Sequence, residues 1–245
     1  MTRLLNAELL KLRTTKTPWV LALTTIALSG LAVASTVVVG SGTDFDLESV
    51  SGARDVLSTA VAGGIVVLVL GIIITAGEYR HGTSVETFLT TPQRWKVIVA
   101  KLVTATMAGG VVGSLASAVA LLATLVTYRS NGLVFPLDAA QASSTLGAAV
   151  LYAALFAAMG AATGSLIRNQ VAAIAGWLSW IAVVEHIAEG FFPTVGRWLP
   201  VGAGRALVSG GATDLLAPAM AAVVLCAYAA AIMGAAIGTE RLRDA

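Results

Sequence analysis

Long apolar runs alternate with short polar stretches along the whole chain. Five runs without a charged residue exceed the roughly 20 residues needed to cross about 30 Å of hydrocarbon, and a shorter sixth leads into acidic residues. These runs cover residues 17–43, 56–77, 102–128, 139–167, 169–184 and 215–239. The pattern predicts an all-α integral membrane protein whose six transmembrane helices lie near residues 18–40, 55–77, 97–127, 140–166, 170–190 and 216–238.

Composition agrees with this class. Of the 245 residues, 57% are hydrophobic and 11% are charged, whereas a soluble domain carries about 25% charge. The net charge of +2 is small and no basic cluster alternates with aromatic residues, so nucleic acid is not an expected partner. Cys226 is the single cysteine, which excludes an internal disulfide. No repeat or flexible linker divides the chain, and residues 1–245 are predicted to form one domain.

The distribution of basic residues orients the six predicted spans. Eleven of the 15 Lys and Arg residues fall on the side that carries both termini. The positive-inside rule therefore predicts that both termini lie in the cytoplasm.

Residues 1–17 are predicted to form an amphipathic helix before the first span. Leu5, Leu9 and Leu12 share one face, while basic residues lie around the remainder. This pattern is typical of a helix that lies in the lipid headgroup plane. A cleaved secretory signal is the alternative, but the apolar run continues through Val39 and the basic region is long for such a signal.

The polar stretch after the second predicted span contains a helix signal. Thr83 and Glu86 have capping-box spacing, because the Thr hydroxyl and the Glu carboxylate can each accept from the other residue's backbone N–H. Phe88 and Leu89 follow on one face. A short amphipathic helix is therefore predicted, and it is either a rigid knob for a soluble partner or a solvated loop on the lipid surface.

Small residues are frequent in the predicted spans. Gly160 and Gly164, and likewise Gly234 and Gly238, have the GxxxG spacing that lets helix backbones approach closely in lipid. Packing within one chain and contact between subunits both remain open for these faces.

Residues for enzymatic chemistry are not found in any recognisable pattern. None of the four lysines follows a glycine as a phosphate-binding P-loop requires. His81 and His186 are the only histidines and have no cysteine nearby, which argues against a thiolate–imidazole metal site. The chain is therefore predicted not to be an enzyme and to hold no cofactor itself.

An acidic group marks the end of the fifth predicted span. Counting from residue 170, Glu185 lies about 22 Å along the helix at 1.5 Å per residue, where a charge needs a partner or water. Glu185 and Glu189 share a face, and an arginine folding back from segment 190–215 is one possible partner. That segment is predicted to be a re-entrant hairpin, with an ordinary external loop as the alternative. The residues of a possible outer gate are Glu185, His186, Glu189, Arg197 and Arg205.

Three segments resemble parts of the ABC-2 type transporter permeases, the six-span membrane subunits of bacterial ABC exporters. The segment GEYRHGTSVETFLTTPQRWKVIVAKL is similar to the cytoplasmic loop of that family, and NAELLKLRTTKTPW is similar to its amphipathic connecting helix. The long loop after the fifth span resembles the family's re-entrant external hairpin.

The resemblance implies a defined assembly. Two permease subunits, identical or different, form the membrane path, and two separate ATPase subunits bind ATP and Mg. Within loop 78–96, the helix at 83–91 would be the coupling helix that enters a groove on the ATPase. The coupling residues would be Glu78, Arg80, Thr83, Glu86, Phe88 and Leu89.

The expected activity is export across the bacterial cytoplasmic membrane, with multidrug efflux as one form of it. A glycine-rich apolar path without midplane charge favours a lipophilic or amphipathic substrate such as a drug, peptide or lipid. Two alternatives remain. A secondary transporter would need ionisable groups at the span centres, and the first five spans have none. A non-transporting scaffold or immunity protein would lack an associated ATPase.

Overall fold

The computed structural model describes residues 1–40, 47–82, 93–209 and 215–244. These residues form helices and short connections, with no β-strand among them. Six helices are long and apolar enough to cross a membrane. The predicted all-α architecture with six spans is therefore confirmed.

The helices are named by their order in the chain. The N-terminal helix is Thr2–Thr14, span 1 is Lys16–Gly40, span 3 is Arg94–Ser130, span 4 is Ala139–Ile167 and span 6 is Pro218–Asp244. Span 2 joins the helix Val50–Ser58, the 3-10 segment Thr59–Gly63 and the helix Gly64–His81. Span 5 joins the helix Gln170–Ser179, the π-helical segment Trp180–Glu185 and the helix His186–Phe191. Two short helices follow, Pro193–Gly196 and the loop helix, Pro200–Ser209.

Span 2 starts at Val50 rather than near residue 55, where the span was predicted to begin. The hydroxyl of Ser49 accepts a hydrogen bond from the backbone N–H of Gly52 at 3.0 Å. This N-cap satisfies one of the free donors of the first turn. The helix therefore extends through Asp55, which hydropathy alone assigns to the outer loop.

The N-terminal helix packs against the transmembrane helices. Leu5, Leu9 and Leu12 are half-buried, and Leu12 contacts the apolar cluster formed by spans 2, 3, 4 and 6. Part of the face that was expected to dip into lipid is thus occupied by protein contacts.

Span 4 lies at the centre of the bundle and meets span 2 backbone to backbone. A Cβ atom added to Gly160 would lie 2.0 Å from the carbonyl oxygen of Leu68, and one added to Gly164 would lie 2.3 Å from the hydroxyl of Thr75. That hydroxyl donates to the carbonyl of Ala161 at 2.9 Å. Only glycine permits this approach, so the first GxxxG pair serves packing within the chain.

The second GxxxG pair has a different environment. Nothing lies within 4 Å of a Cβ atom added to Gly234 or Gly238. The described part of the chain therefore leaves this face of span 6 open.

Span 5 lies at the edge of the bundle, whereas the loop helix lies inside it. In span 4, 61% of the most apolar 18-residue stretch is buried within the protein. In span 5 the corresponding share is 11%. By contrast Ala203, Ala206 and Val208 of the loop helix are fully buried, in the cluster that spans 2, 4 and 6 also supply.

Candidate functional site

The predicted coupling residues are only partly within the described structure. Glu78 and Arg80 lie in the last turns of span 2, and Arg80 is exposed. The predicted residues that lie outside the described residues are Thr83, Glu86, Phe88 and Leu89. The structure thus gives the geometry of the two flanks of the loop at residues 83–92.

Four charged side chains join these two flanks to the N-terminal helix. Lys101 of span 3 lies with its Nζ atom 2.9 Å from Glu8 Oε2 and 2.5 Å from Glu78 Oε1. Lys11 Nζ lies 2.8 Å from Glu8 Oε1 and 2.7 Å from Glu78 Oε1. Each cation therefore contacts both carboxylates, and we name this set the charge network.

The charge network is largely withdrawn from solvent. The side chains of Lys101 and Glu8 are 4% and 5% exposed, that of Glu78 is 13% exposed and that of Lys11 is 46% exposed. Burial of one such charge without a partner is very unfavourable, but here two positive and two negative charges compensate each other. The network therefore holds together only while all three helices keep their positions.

Lys11 is the member of the network that borders solvent. Partial burial lowers its pKa, but the hydrogen bonds from its ammonium group to Glu78 and Glu8, and its attraction to both carboxylates, outweigh burial. The pKa of Lys11 is consequently raised above its ordinary value, and the ammonium group stays charged at neutral pH.

A second group of contacts begins at the next residue of span 2. The guanidinium group of Arg168, between spans 4 and 5, stacks on the Tyr79 ring at 5.3 Å and forms an ion pair with Glu240 of span 6. Arg168 caps the end of span 4 with a φ of 55°, a left-handed conformation that is uncommon for a residue with a side chain. Through these contacts, Arg168 links span 2 and span 6 to the junction between spans 4 and 5.

The acidic residues of span 5 contact the loop helix. Glu185 ends the π-helical segment and is 2% exposed. Its carboxylate accepts hydrogen bonds from Trp180 Nε1 at 3.0 Å and from the backbone N–H of Val201 at 2.8 Å. Val201 lies in the first turn of the loop helix, where backbone N–H groups have no partner within the helix. Glu185 thus fastens the start of the loop helix to span 5.

One turn further along, Glu189 forms an ion pair with Arg205 of the loop helix. Among the described residues, Arg197 pairs with neither glutamate and Glu185 pairs with no arginine. His186 is exposed. The structure therefore brings together Glu185, Glu189 and Arg205 of the five expected outer-gate residues, with Trp180 as an additional donor.

Neither group of described residues contains a cluster of metal ligands. Within the described residues, no group of three or more His, Cys, Asp or Glu side chains could hold a metal ion. Three of the four ion pairs in the charge network join different helices, and the fourth, Lys11–Glu8, lies within the N-terminal helix. The ion pairs of the charge network therefore hold helices of the bundle together.

Glu8 and Glu240 were not singled out from the sequence, although signals for Glu8 are present. Glu8 lies on the same helical face as Leu5 and Leu12, and Lys11 follows it at the i+3 position. A carboxylate on an apolar face requires a cation nearby. The identity of Lys101 as that cation depends on tertiary structure.

Comparison of the sequence with known protein families identifies the family of this chain. The sequence profile of the ABC-2 family transporter proteins matches residues 7–197, from the N-terminal helix to the short helices after span 5. No curated protein matches the chain. The family consists of membrane components of transport systems that work with a separate ABC ATPase. Since the match covers most of the chain, this multi-pass membrane protein belongs to the ABC-2 transporter family.

Proposed function

We propose that this chain is the permease subunit of an ATP-driven exporter in the bacterial cytoplasmic membrane, with both termini in the cytoplasm. In this proposal, two copies of a separate ATPase bind ATP and Mg and dock on the helix predicted at residues 83–91. A second permease subunit, identical or different, completes the membrane path. The observation that carries the proposal is the charge network, which joins both flanks of that loop to the N-terminal helix.

The network gives the loop a direct connection to the bundle. Glu78 precedes the loop and Lys101 follows it, and their side chains are in contact. A displacement of the loop by the ATPase would therefore move the ends of spans 2 and 3 together. Glu8 and Lys11 would transmit the same displacement to the N-terminal helix.

The outer gate would be the contact between span 5 and the loop helix. Support comes from Glu185, which is bonded to Val201, and from Glu189, which is paired with Arg205. In this proposal residues 190–215 form the re-entrant hairpin, and release of substrate requires span 5 and the loop helix to separate. His186 and Arg197 would border the opening.

An apolar groove between spans 4, 5 and 6 supports a lipophilic or amphipathic substrate. It has a volume of about 270 Å³ and is lined by Thr163, Ile167, Ala173, Gly176, Trp177, Trp180 and Ile232. The indole N–H groups of Trp177 and Trp180 donate to Thr163 and Glu185. The rings therefore present apolar faces, which suit the hydrocarbon part of a drug, peptide or lipid.

Purification of the tagged full chain from native membranes tests the proposal. An ABC ATPase with Mg-dependent ATP hydrolysis is expected to copurify in mild detergent. Inverted membrane vesicles should accumulate a lipophilic fluorescent cargo when ATP is added, and an uncoupler should leave this accumulation intact. Accumulation that follows the proton gradient would instead identify a secondary transporter. Absence of both the ATPase and accumulation would leave a non-transporting protein and reject the proposal.

A further inference from the structure

A tryptophan at the start of span 3 lies between two cations. Arg241 Cζ of span 6 lies 4.8 Å from the centroid of the Trp95 ring, and Lys96 Nζ lies 5.6 Å from the same centroid. Both distances are within the range of a cation–π interaction. The Trp95 ring therefore contacts one cation from span 3 and one from span 6.

Neither cation has an acidic partner among the described residues. At the same end of the bundle, Lys11, Lys101 and Arg168 all form ion pairs with glutamates. Glu240 is adjacent to Arg241 in the chain, but it is 1% exposed and pairs with Arg168. Lys96 and Arg241 thus hold positive charge that no acidic side chain of the described residues neutralises.

The position of this patch matches the boundary of a membrane. Trp95 is the second residue of span 3, and Leu242 ends the apolar segment of span 6. Trp residues concentrate at the level of the lipid headgroups. Leu242 follows Arg241 in the chain and is 80% exposed, so an apolar side chain is exposed at the same end of span 6 as one of the two cations.

We propose that Trp95, Lys96 and Arg241 form a binding site for the phosphate of an anionic phospholipid headgroup, with Leu242 against the upper part of an acyl chain. The positive charge matches the phosphate, and the exposed leucine matches the hydrocarbon below it. An acidic soluble protein would satisfy the cations but would leave Leu242 without an apolar partner. This inference depends on membrane insertion alone and is independent of the proposed export activity.

The test is titration of the purified full chain with phosphatidylglycerol and with phosphatidylcholine, followed by native mass spectrometry. Wild type is expected to bind phosphatidylglycerol more tightly. The double variant Lys96→Gln/Arg241→Gln should lose this preference, with roughly a fivefold weakening for each charge removed. Its affinity for phosphatidylcholine should be unchanged. The charge-conserving variant Lys96→Arg/Arg241→Lys should retain the preference, which separates loss of charge from a folding defect.

Arg129→Gln is the matched control, because Arg129 is an exposed cation at the opposite end of span 3. Wild-type preference is expected in this variant. An unchanged preference in the double variant would overturn the proposal. So would displacement of the phospholipid by excess inorganic phosphate, or a double variant that keeps its lipid preference but loses a protein partner.

Discussion

The carboxylate of Glu8 and the ammonium group of Lys101 lie 2.9 Å apart, although 93 positions separate them in the chain. Both side chains are nearly inaccessible to solvent. The contact connects the N-terminal helix to span 3, a few residues after the loop that is proposed to bind the ATPase.

Lys101→Met is expected to destabilise the protein by about 3 kcal/mol or more, because it leaves two buried carboxylates with Lys11 as the remaining cation of the network. Adding Glu8→Gln should recover most of this loss, since the Lys11–Glu78 pair then balances. Thermal unfolding in detergent measures both effects. Arg3→Gln, at an exposed position of the N-terminal helix that also carries Glu8, is the control. Equal stability of Lys101→Met and wild type would show that the network is not a stabilising contact.

Gly160→Ala is expected to destabilise the contact between spans 2 and 4 by about 1–3 kcal/mol, because the new methyl group would overlap the carbonyl oxygen of Leu68. Gly234→Ala is the matched control and should leave the stability of the monomer unchanged, since its surroundings are open. Thermal unfolding distinguishes the two. If Gly234→Ala disrupts a dimer on size-exclusion chromatography, that face belongs to a subunit interface.

Glu185→Gln is expected to slow transport, because an amide cannot accept hydrogen bonds at both positions and one of the donors, Trp180 or Val201, loses its partner. Glu189→Gln breaks an ion pair whose arginine is 53% exposed and should have a smaller effect. Transport in inverted vesicles is the measurement, with expression and ATPase copurification as controls. Normal transport in both variants would reject the outer gate.

The pairing of Glu189 with Arg205 allows a more specific test. The swapped variant Glu189→Arg/Arg205→Glu should transport better than either single replacement. The same exchange between Glu189 and Arg197 should give no rescue, because the structure does not pair those two residues.

Phe88→Ala is expected to weaken ATPase association by about 2 kcal/mol or more, since a buried aromatic anchor is lost from the interface. Glu86→Ala removes half of the predicted capping box and should cost about 0.5–2 kcal/mol of local helix stability. Copurification of the ATPase and transport-stimulated hydrolysis should therefore fall more in the first variant, while membrane insertion stays normal in both. A Phe88→Ala protein that assembles and transports normally would identify the segment as a solvated loop.

Single cysteines test the orientation of the bundle. In a Cys226→Ala background, Ser130→Cys at the exposed end of span 3 should react with an impermeant maleimide in intact cells. Thr14→Cys, at the exposed end of the N-terminal helix, should react only after permeabilisation. The reverse pattern would place the termini outside.

The number and approximate limits of the spans could be predicted from the sequence, because a helix in hydrocarbon must be apolar over its whole crossing length. Details that depend on single side chains could not. The Ser49 cap moved the start of span 2, and the π-helical turn at Trp180–Glu185 interrupts a segment whose hydropathy is uniform.

Some members of the candidate sites stood out in the sequence, but their partners did not. Glu185 and Glu189 stood out because charges near apolar runs need compensation, whereas Glu78 was named only through the resemblance of its loop to the permease family. Their partners come from distant segments, and several cations were available for each. The choice of Arg205 over Arg197, and of Lys101 for Glu8, follows from the crossing of helices and not from any local pattern.

The last turn of span 2 is held from two directions. Glu78 contacts the N-terminal helix and span 3, whereas Tyr79 contacts Arg168 and so the group that includes span 6. Successive helical residues point about 100° apart, so rotation of span 2 about its own axis would pull at least one of these contacts apart. Sliding of span 2 alone along its axis would separate the same contacts. A displacement of the loop would therefore move the end of span 2 only together with the N-terminal helix, span 3 and the group around Arg168.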